Sequence, residues 1–111
     1  MRKDCFNSYL GTISKAVSLL AEIITSIEPC SELIVTALKE LSEIEQSTAD
    51  FIDSFEIESK IAAESKKSFI ESNNLVIAYL EKIQSQGYNF DEFVTALKLE
   101  NETLKEEIDF L

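Results

Sequence analysis

The chain has 111 residues, of which 45% are hydrophobic and 28% are charged, with two glycines and one proline. The length predicts one domain, the apolar fraction argues against disorder, and the scarcity of turn residues argues against an all-β fold, so an all-α protein is expected. The net charge of −11 argues against direct contact with nucleic acid or an anionic membrane, and the absence of histidine removes the commonest general base and metal ligand.

The negative charge is concentrated in the later part of the chain. Residues 1–37 have a net charge of −1 and residues 38–111 a net charge of −10. Such a surface suits a basic protein partner. The alternative is that it serves only to keep the protein soluble.

Helix one is predicted over residues 4–28, because apolar residues recur there at alternating intervals of four and three. This spacing favours supercoiled packing against another helix. A second apolar row, Tyr9, Ala16 and Ile23, widens the apolar face. We therefore expect a central helix, covered by later helices or by a second copy of the chain. Its candidate interaction residues are Phe6, Leu10, Ile13 and Val17.

Helix two is predicted over residues 31–57. Pro29 ends the preceding helix near Glu28, and Ser31 is placed to cap the next one. The turn is short, so helix two should fold back along helix one. A polar interval at residues 45–48 interrupts its apolar face.

Helix three is predicted over residues 59–86, ended by Gly87 in the left-handed conformation. The break before it is expected near residues 55–58, although no glycine or proline marks it. The alternative is one helix over residues 31–86, which would require an elongated oligomer to bury its apolar stripe.

Burial within these helices is predicted from residue type. Phe51 and Phe55 lie four residues apart and are expected to stack in the core, and the alternative is an exposed aromatic patch for a partner. Residues 59–68 are too polar to be well buried. Asn73 and Asn74 are expected on a solvated face, and the alternative is a polar contact at an interface.

Helix four is predicted over residues 90–110. Asn89 precedes Glu92 by three residues, as an N-cap precedes its capping partner. Tyr88 and Phe93 are placed to form a hydrophobic staple across the same helix start.

The apolar face of helix four has the pattern of a parallel two-stranded coiled coil, with one asparagine, Asn101, to fix the register. Glu100 and Lys105 are placed to pair across such a dimer. The alternatives are packing inside a bundle and a frayed end that folds on a partner. The residues of this face are Val94, Leu97, Asn101, Leu104, Ile108 and Leu111.

Catalytic motifs are absent from the sequence. No nucleophile has an adjacent base, and two glycines cannot form a phosphate loop. Carboxylate-bound magnesium is the remaining possibility, but a solvated acidic face explains the same residues better. These residues are Glu40, Glu43, Asp50 and Asp53. No cofactor or metal is therefore expected.

The two cysteines and the hydropathy pattern bear on location. Cys5 and Cys30 would lie about 37 Å apart along a straight helix, so reduced thiols are expected. No stretch approaches the length of a membrane span. No clear signal peptide begins the chain. A cytoplasmic protein is the default expectation.

The sequence thus predicts an all-α, antiparallel bundle of three to four helices with coiled-coil-like packing, existing as an oligomer. The favoured function is a non-enzymatic adaptor or chaperone-like module that binds itself or another helical protein. The alternative is an acidic inhibitor or decoy for the basic site of a nucleic-acid-binding protein or toxin. A magnesium-dependent hydrolase is the remote alternative.

Overall fold

The described residues form four α-helices. The computed structural model describes residues 2–26, 28–54 and 57–110, and no strand occurs in these ranges. The all-α expectation is therefore confirmed. The helices are α1 (Arg2–Ser26), α2 (Ser31–Ser54), α3 (Ser59–Ile83) and α4 (Asp91–Asp109), and a 3₁₀ turn, Gln84–Gln86, follows α3.

The helices pack as a bundle with α1 and α3 at its centre. α1 packs most extensively against α3, α3 packs almost as closely against α4, and α2 packs against α1. Among the described residues, α2 and α4 have no comparable close approach. The central place expected for helix one is therefore shared with α3, and one side of the bundle is loosely packed.

All four helices contribute apolar side chains to the main core. Burial of these groups is the dominant stabilising term for a domain of this size. The largest fully buried members are Val17, Ile24, Ile34, Leu41, Phe69, Val76, Leu80 and Ile83.

A smaller apolar cluster lies where the start of α1 meets the end of α2. The ring of Phe51 contacts Phe6, with ring centroids 5.5 Å apart, and Tyr9, with centroids 4.6 Å apart. Phe51 is thus half-buried among aromatic neighbours, and Leu10 is buried beside it. The stacking predicted for Phe55 lies outside the described residues.

One face of α1 is exposed and apolar. Tyr9, Ala16, Leu19 and Ile23, here called the α1 outer row, are exposed, with 57% of Leu19 accessible to solvent. The ring of Tyr9 contacts Phe51 of α2, and the rest of the row is exposed. The cover expected for this second apolar row is therefore supplied only in part by the described helices of the same chain.

α2 and α3 are two separate helices rather than one continuous helix. α2 ends at Ser54, α3 begins at Ser59, and residues 55–56 lie outside the described ranges. The amide N–H of Ala62 donates to the carbonyl of Glu58 over 3.0 Å in the first turn of α3. A single helix over residues 31–86 is therefore wrong.

The start of α3 is more deeply buried than its polarity predicts. Ala62, Ser65 and Lys66 are buried, so the exposure expected for residues 59–68 is wrong at these positions. Alanine and serine are small and allow α3 to approach its neighbours closely. Lys66 Nζ lies 2.5 Å from Glu107 Oε2, which compensates the buried charge.

α4 starts one residue later than predicted, whereas α2 begins at the predicted residue, Ser31. Ser31 lies in the first turn of α2 rather than at its cap, because the N–H of Ile34 already donates to the carbonyl of Cys30 over 2.9 Å. At α4, Phe90 occupies the N-cap position and Asp91 begins the helix. Short polar side chains favour the cap, but the backbone geometry decides its position.

Of the two predicted capping residues, Asn89 acts at the start of α4. The Asn89 side-chain oxygen accepts a hydrogen bond from the N–H of Asp91 over 3.1 Å. The ring of Phe90 contacts both Tyr88 and Phe93, with centroids 6.3 Å apart in each case. The staple was predicted between Tyr88 and Phe93. Phe90, which was not part of that prediction, lies in contact with both of them.

The two glycines should respond oppositely to substitution by alanine. Gly87 has φ +95° with no atom within 4 Å of an added Cβ, so the cost at this position is conformational. We expect Gly87→Ala to lower the free energy of unfolding by about 1 kcal/mol. Urea unfolding followed by circular dichroism measures it.

Gly11 is the matched control, since an added Cβ also meets nothing within 4 Å but the residue lies inside α1. Gly11→Ala should raise the free energy of unfolding by about 0.5–1 kcal/mol. Equal effects of the two substitutions would contradict the left-handed conformation at Gly87.

Candidate functional site

A groove of about 400 Å³ lies between α2 and α4, on the loosely packed side of the bundle. We call it the α2/α4 groove. Five of its twelve lining residues are acidic, so it concentrates the negative charge of the chain. Its lining residues are Ser42, Glu45, Gln46, Ala49, Asp50 and Asp53 of α2 and Ala96, Leu99, Glu100, Thr103, Leu104 and Glu107 of α4.

The spacing of these residues explains the groove. On each helix they recur at intervals of three and four, so each set forms one continuous stripe along the helix surface. Ala49 and Ala96 contribute only methyl groups, so the two helices do not fill the space between them. Carboxylates on both sides also repel one another, which disfavours closer packing of α2 and α4.

Glu45 is the buried member of this set. Its side chain is only 2% exposed, and within the described part of the chain neither carboxyl oxygen has a hydrogen-bond partner. Burial raises the pKa of Glu45 from its ordinary 4.5 to about 10, with a further contribution from the nearby carboxyl of Glu100. The side chain of Asn73 lowers the pKa of Glu45, but by less than burial and Glu100 raise it. Glu45 is therefore a neutral carboxylic acid at neutral pH.

An asparagine pair lies beside Glu45 in the bundle interior. Asn73 is completely buried, and its Nδ2 donates to Asn101 Oδ1 over 3.0 Å. Asn101 Nδ2 in turn donates to Asn74 Oδ1 over 2.9 Å. Asn73 Oδ1 has no partner among the described residues. The solvated face expected for Asn73 and Asn74 is therefore wrong for Asn73, because α4 supplies an acceptor for its buried Nδ2 group.

The far end of the groove contains an ion pair. Lys66 of α3 is 4% exposed and donates to Glu107, which lines the groove. This lysine compensates one of the acidic residues. Towards the surface, Gln46 Nε2 donates to Asp50 Oδ1 over 3.2 Å. The groove therefore keeps an excess of negative charge.

The predicted coiled-coil residues of α4 lie mainly inside the chain's own core. Val94, Leu97, Asn101 and Leu104 are buried, and Ile108 is half-buried. Leu111 lies outside the described residues. The amide of Asn101 is engaged with α3 rather than available to a second copy. Of the predicted pair, Glu100 lines the groove and Lys105 is exposed.

The candidate interaction residues of α1 also face inward. Leu10 and Val17 are buried, and Phe6 and Ile13 are half-buried. The same helical face that predicted supercoiled packing is thus covered by α2 and α3.

The carboxylates considered for magnesium are divided between two surfaces. Glu40 and Glu43 line a shallow depression next to α1, whereas Asp50 and Asp53 line the α2/α4 groove. In the described part of the chain no group of three or more possible ligands is arranged to hold a metal ion. Cys5 and Cys30 are free and exposed.

Comparisons with protein-family models, curated proteins and solved structures found no match for this chain. Among the described residues, no helix combines the length and apolar character needed to cross a membrane. The geometry of the surface is therefore what indicates a function for this chain.

Glu45 is the site residue that the sequence analysis missed, whereas Asn73 was considered for a polar contact but expected on a solvated face. The position of Glu45 carried a signal, since it is in helical phase with Leu38, Leu41 and Ile52, all of which are buried. The helical phase of Glu45 therefore indicates an interior position in spite of its polarity.

The raised pKa of Glu45 makes the stability of the chain depend on pH. The folded chain keeps this proton up to about pH 10, whereas the unfolded chain releases it above about pH 4.5, so rising pH favours unfolding across this window. We expect Glu45→Gln, which cannot ionise, to be more stable than the parent chain by ~1–3 kcal/mol at neutral pH. The difference should grow from about pH 5 to about pH 9, as measured by urea unfolding.

Glu43→Gln is the matched control, because Glu43 is exposed on the same helix. Its effect on the free energy of unfolding should be small and constant over the same pH range. A pH-independent difference between Glu45→Gln and the parent chain would show that Glu45 is ionised in the folded protein.

Proposed function

We propose that the protein is a non-enzymatic interaction module that binds a basic protein partner through the α2/α4 groove. The observation that carries the proposal is the groove itself, where five acidic residues line a space of about 400 Å³ between two helices. No reaction is assigned to these carboxylates. The partner is recognised by charge and by the shape of the groove.

The distribution of charge supports a basic partner. Both sides of the groove come from residues 38–111, which have a net charge of −10. Complementary potentials accelerate association and discriminate against partners of the same charge. A partner that uses its basic surface to bind nucleic acid would be blocked by this module, as in the inhibitor alternative.

Groove variants should lose basic partners in a capture experiment. We expect the immobilised chain to retain proteins of high isoelectric point that salt releases, because screening weakens exposed charge pairs. The variant Asp50→Asn/Asp53→Asn should lose these proteins, as quantified by mass spectrometry of the eluates. The amount of basic protein retained should fall several-fold, because the variant removes two negative charges from the edge of the groove.

The control variant is Glu40→Gln/Glu43→Gln, which removes the same charge from the same helix outside the groove. It should retain the basic proteins. If both variants lose them equally, overall charge rather than the groove accounts for binding.

Self-association is a second candidate function, favoured by the α1 outer row. Tyr9, Ala16 and Ile23 lie seven residues apart, with Leu19 beside them, so they form one exposed apolar stripe. A second copy of the chain would cover this stripe with the same residues, as a two-fold interface requires. Such a dimer would place the helical interface on α1 rather than on α4.

Light scattering coupled to size exclusion tests this candidate. We expect a dimer whose fraction rises with concentration, and a monomer for Leu19→Glu/Ile23→Glu, since buried carboxylates oppose association. Leu75→Glu, a change of an exposed leucine on α3, is the control and should leave the mass unchanged. A parent chain that stays monomeric at all concentrations would remove the candidate.

A further inference from the structure

Glu45 is an unsatisfied buried group that borders the α2/α4 groove. It is 2% exposed, lines the groove, and has no hydrogen-bond partner on either oxygen within the described residues. Asn73 Oδ1 is likewise buried and without a partner there. Buried polar atoms are almost always satisfied. As a neutral acid, Glu45 has one O–H, for which the carboxyl of Glu100 is the nearby acceptor, so its second oxygen and Asn73 Oδ1 are the acceptor atoms that point to a donor from outside the chain.

We propose that the groove accepts an arginine side chain of the basic partner, and that its guanidinium group forms hydrogen bonds with the carboxylates of Glu45 and Glu100. This inference rests on the proposed function and specifies the group that is recognised. The arginine would thus be recognised by one buried contact in the groove and not only by the negative charge of the surface.

The chemistry of the groove favours a guanidinium over an ammonium group. A guanidinium has five N–H donors in a planar fork and is weakly hydrated, so it can serve two carboxylates and enter a buried site at lower cost. Ala49, Ala96 and Leu99 provide apolar surface for the aliphatic part of the side chain. An ammonium group has three donors and a stronger hydration shell.

The size of the groove is consistent with a side chain as the occupant. Its volume of about 400 Å³ is near the lower end of the range for small-ligand pockets, about 300–1,000 Å³. A whole helix would not enter it. Asp50 and Asp53 extend the acidic surface by about 12 Å from Glu45 along α2, which leaves room for a second basic side chain near the rim.

Binding should release a proton from Glu45. The free groove holds Glu45 as a neutral acid, and an adjacent guanidinium favours its carboxylate, so the proton leaves to solvent while the cation stays bound. The ionisable groups around Glu45 are Glu100 and Glu107 of α4, Lys66 of α3, and Asp50 and Asp53 of its own helix. Glu107 is already paired with Lys66, so Glu45 and Glu100 are the pair available to the ligand.

Calorimetric titration with two peptides of equal charge tests the proposal. The probes are capped tri-arginine and capped tri-lysine peptides, each titrated near neutral pH in two buffers of different ionisation enthalpy. We expect the tri-arginine peptide to bind about tenfold more tightly, as for an additional charge-assisted hydrogen bond. The buffer dependence of the heat should correspond to the release of one proton for each tri-arginine bound.

Glu45→Gln separates the specific contact from general electrostatics. Because Glu45 is neutral in the free protein, this substitution hardly changes the charge of the free groove. We nevertheless expect about tenfold weaker binding of tri-arginine and no proton release. Glu43→Gln, the control on the same helix, should bind within about twofold of the parent chain. Glu100→Gln provides a second groove variant that should also weaken binding.

Three outcomes would overturn the proposal. They are equal affinity of the parent chain and Glu45→Gln, equal affinity for the two peptides, and no binding of tri-arginine at low ionic strength. If Asp50→Asn/Asp53→Asn loses basic proteins while Glu45→Gln binds normally, the groove still recognises a basic partner. The proposed function would then stand, and the arginine contact would not.

Discussion

The buried polar layer in the bundle interior is the constraint on which the rest of the structure depends. The hydrogen bond between Asn73 and Asn101 links α3 to α4 at one fixed position along both helices. A shift of either helix by one turn would leave both amides unsatisfied in an apolar environment, at a cost of several kcal/mol. Apolar packing alone tolerates such shifts better, so these two residues specify the register of α4 on α3.

The loose side of the bundle follows from the same layer. Glu45 of α2 enters the interior next to this asparagine pair, and no described residue of α4 offers it a donor. α4 instead presents the carboxyl of Glu100, which is a poor neighbour for a second carboxyl. The bundle accommodates Glu45 by keeping it protonated and by leaving α2 and α4 apart. A groove with unused acceptor atoms is the structural result.

The sequence predicted the helices better than it predicted their burial. Pro29 and Gly87 act on the backbone locally, so their effects on helix ends could be predicted without knowledge of the fold. The burial of Asn73 depends on Asn101, which is twenty-eight residues away, and the pairing of helices cannot be inferred from either helix alone. The heptad pattern of α4 likewise could not show whether the helix packs within the chain or against a second copy, since both arrangements require the same apolar residues.

The two surfaces proposed for interaction are independent of each other. No residue of the α1 outer row lines the α2/α4 groove, and the groove is formed without α1. A dimer formed through α1 would therefore carry two open grooves, one on each chain. A partner with two basic segments would bind the second groove at a high effective concentration, which raises affinity without any new contact. Dimerisation would in that case strengthen the recognition of basic partners rather than compete with it.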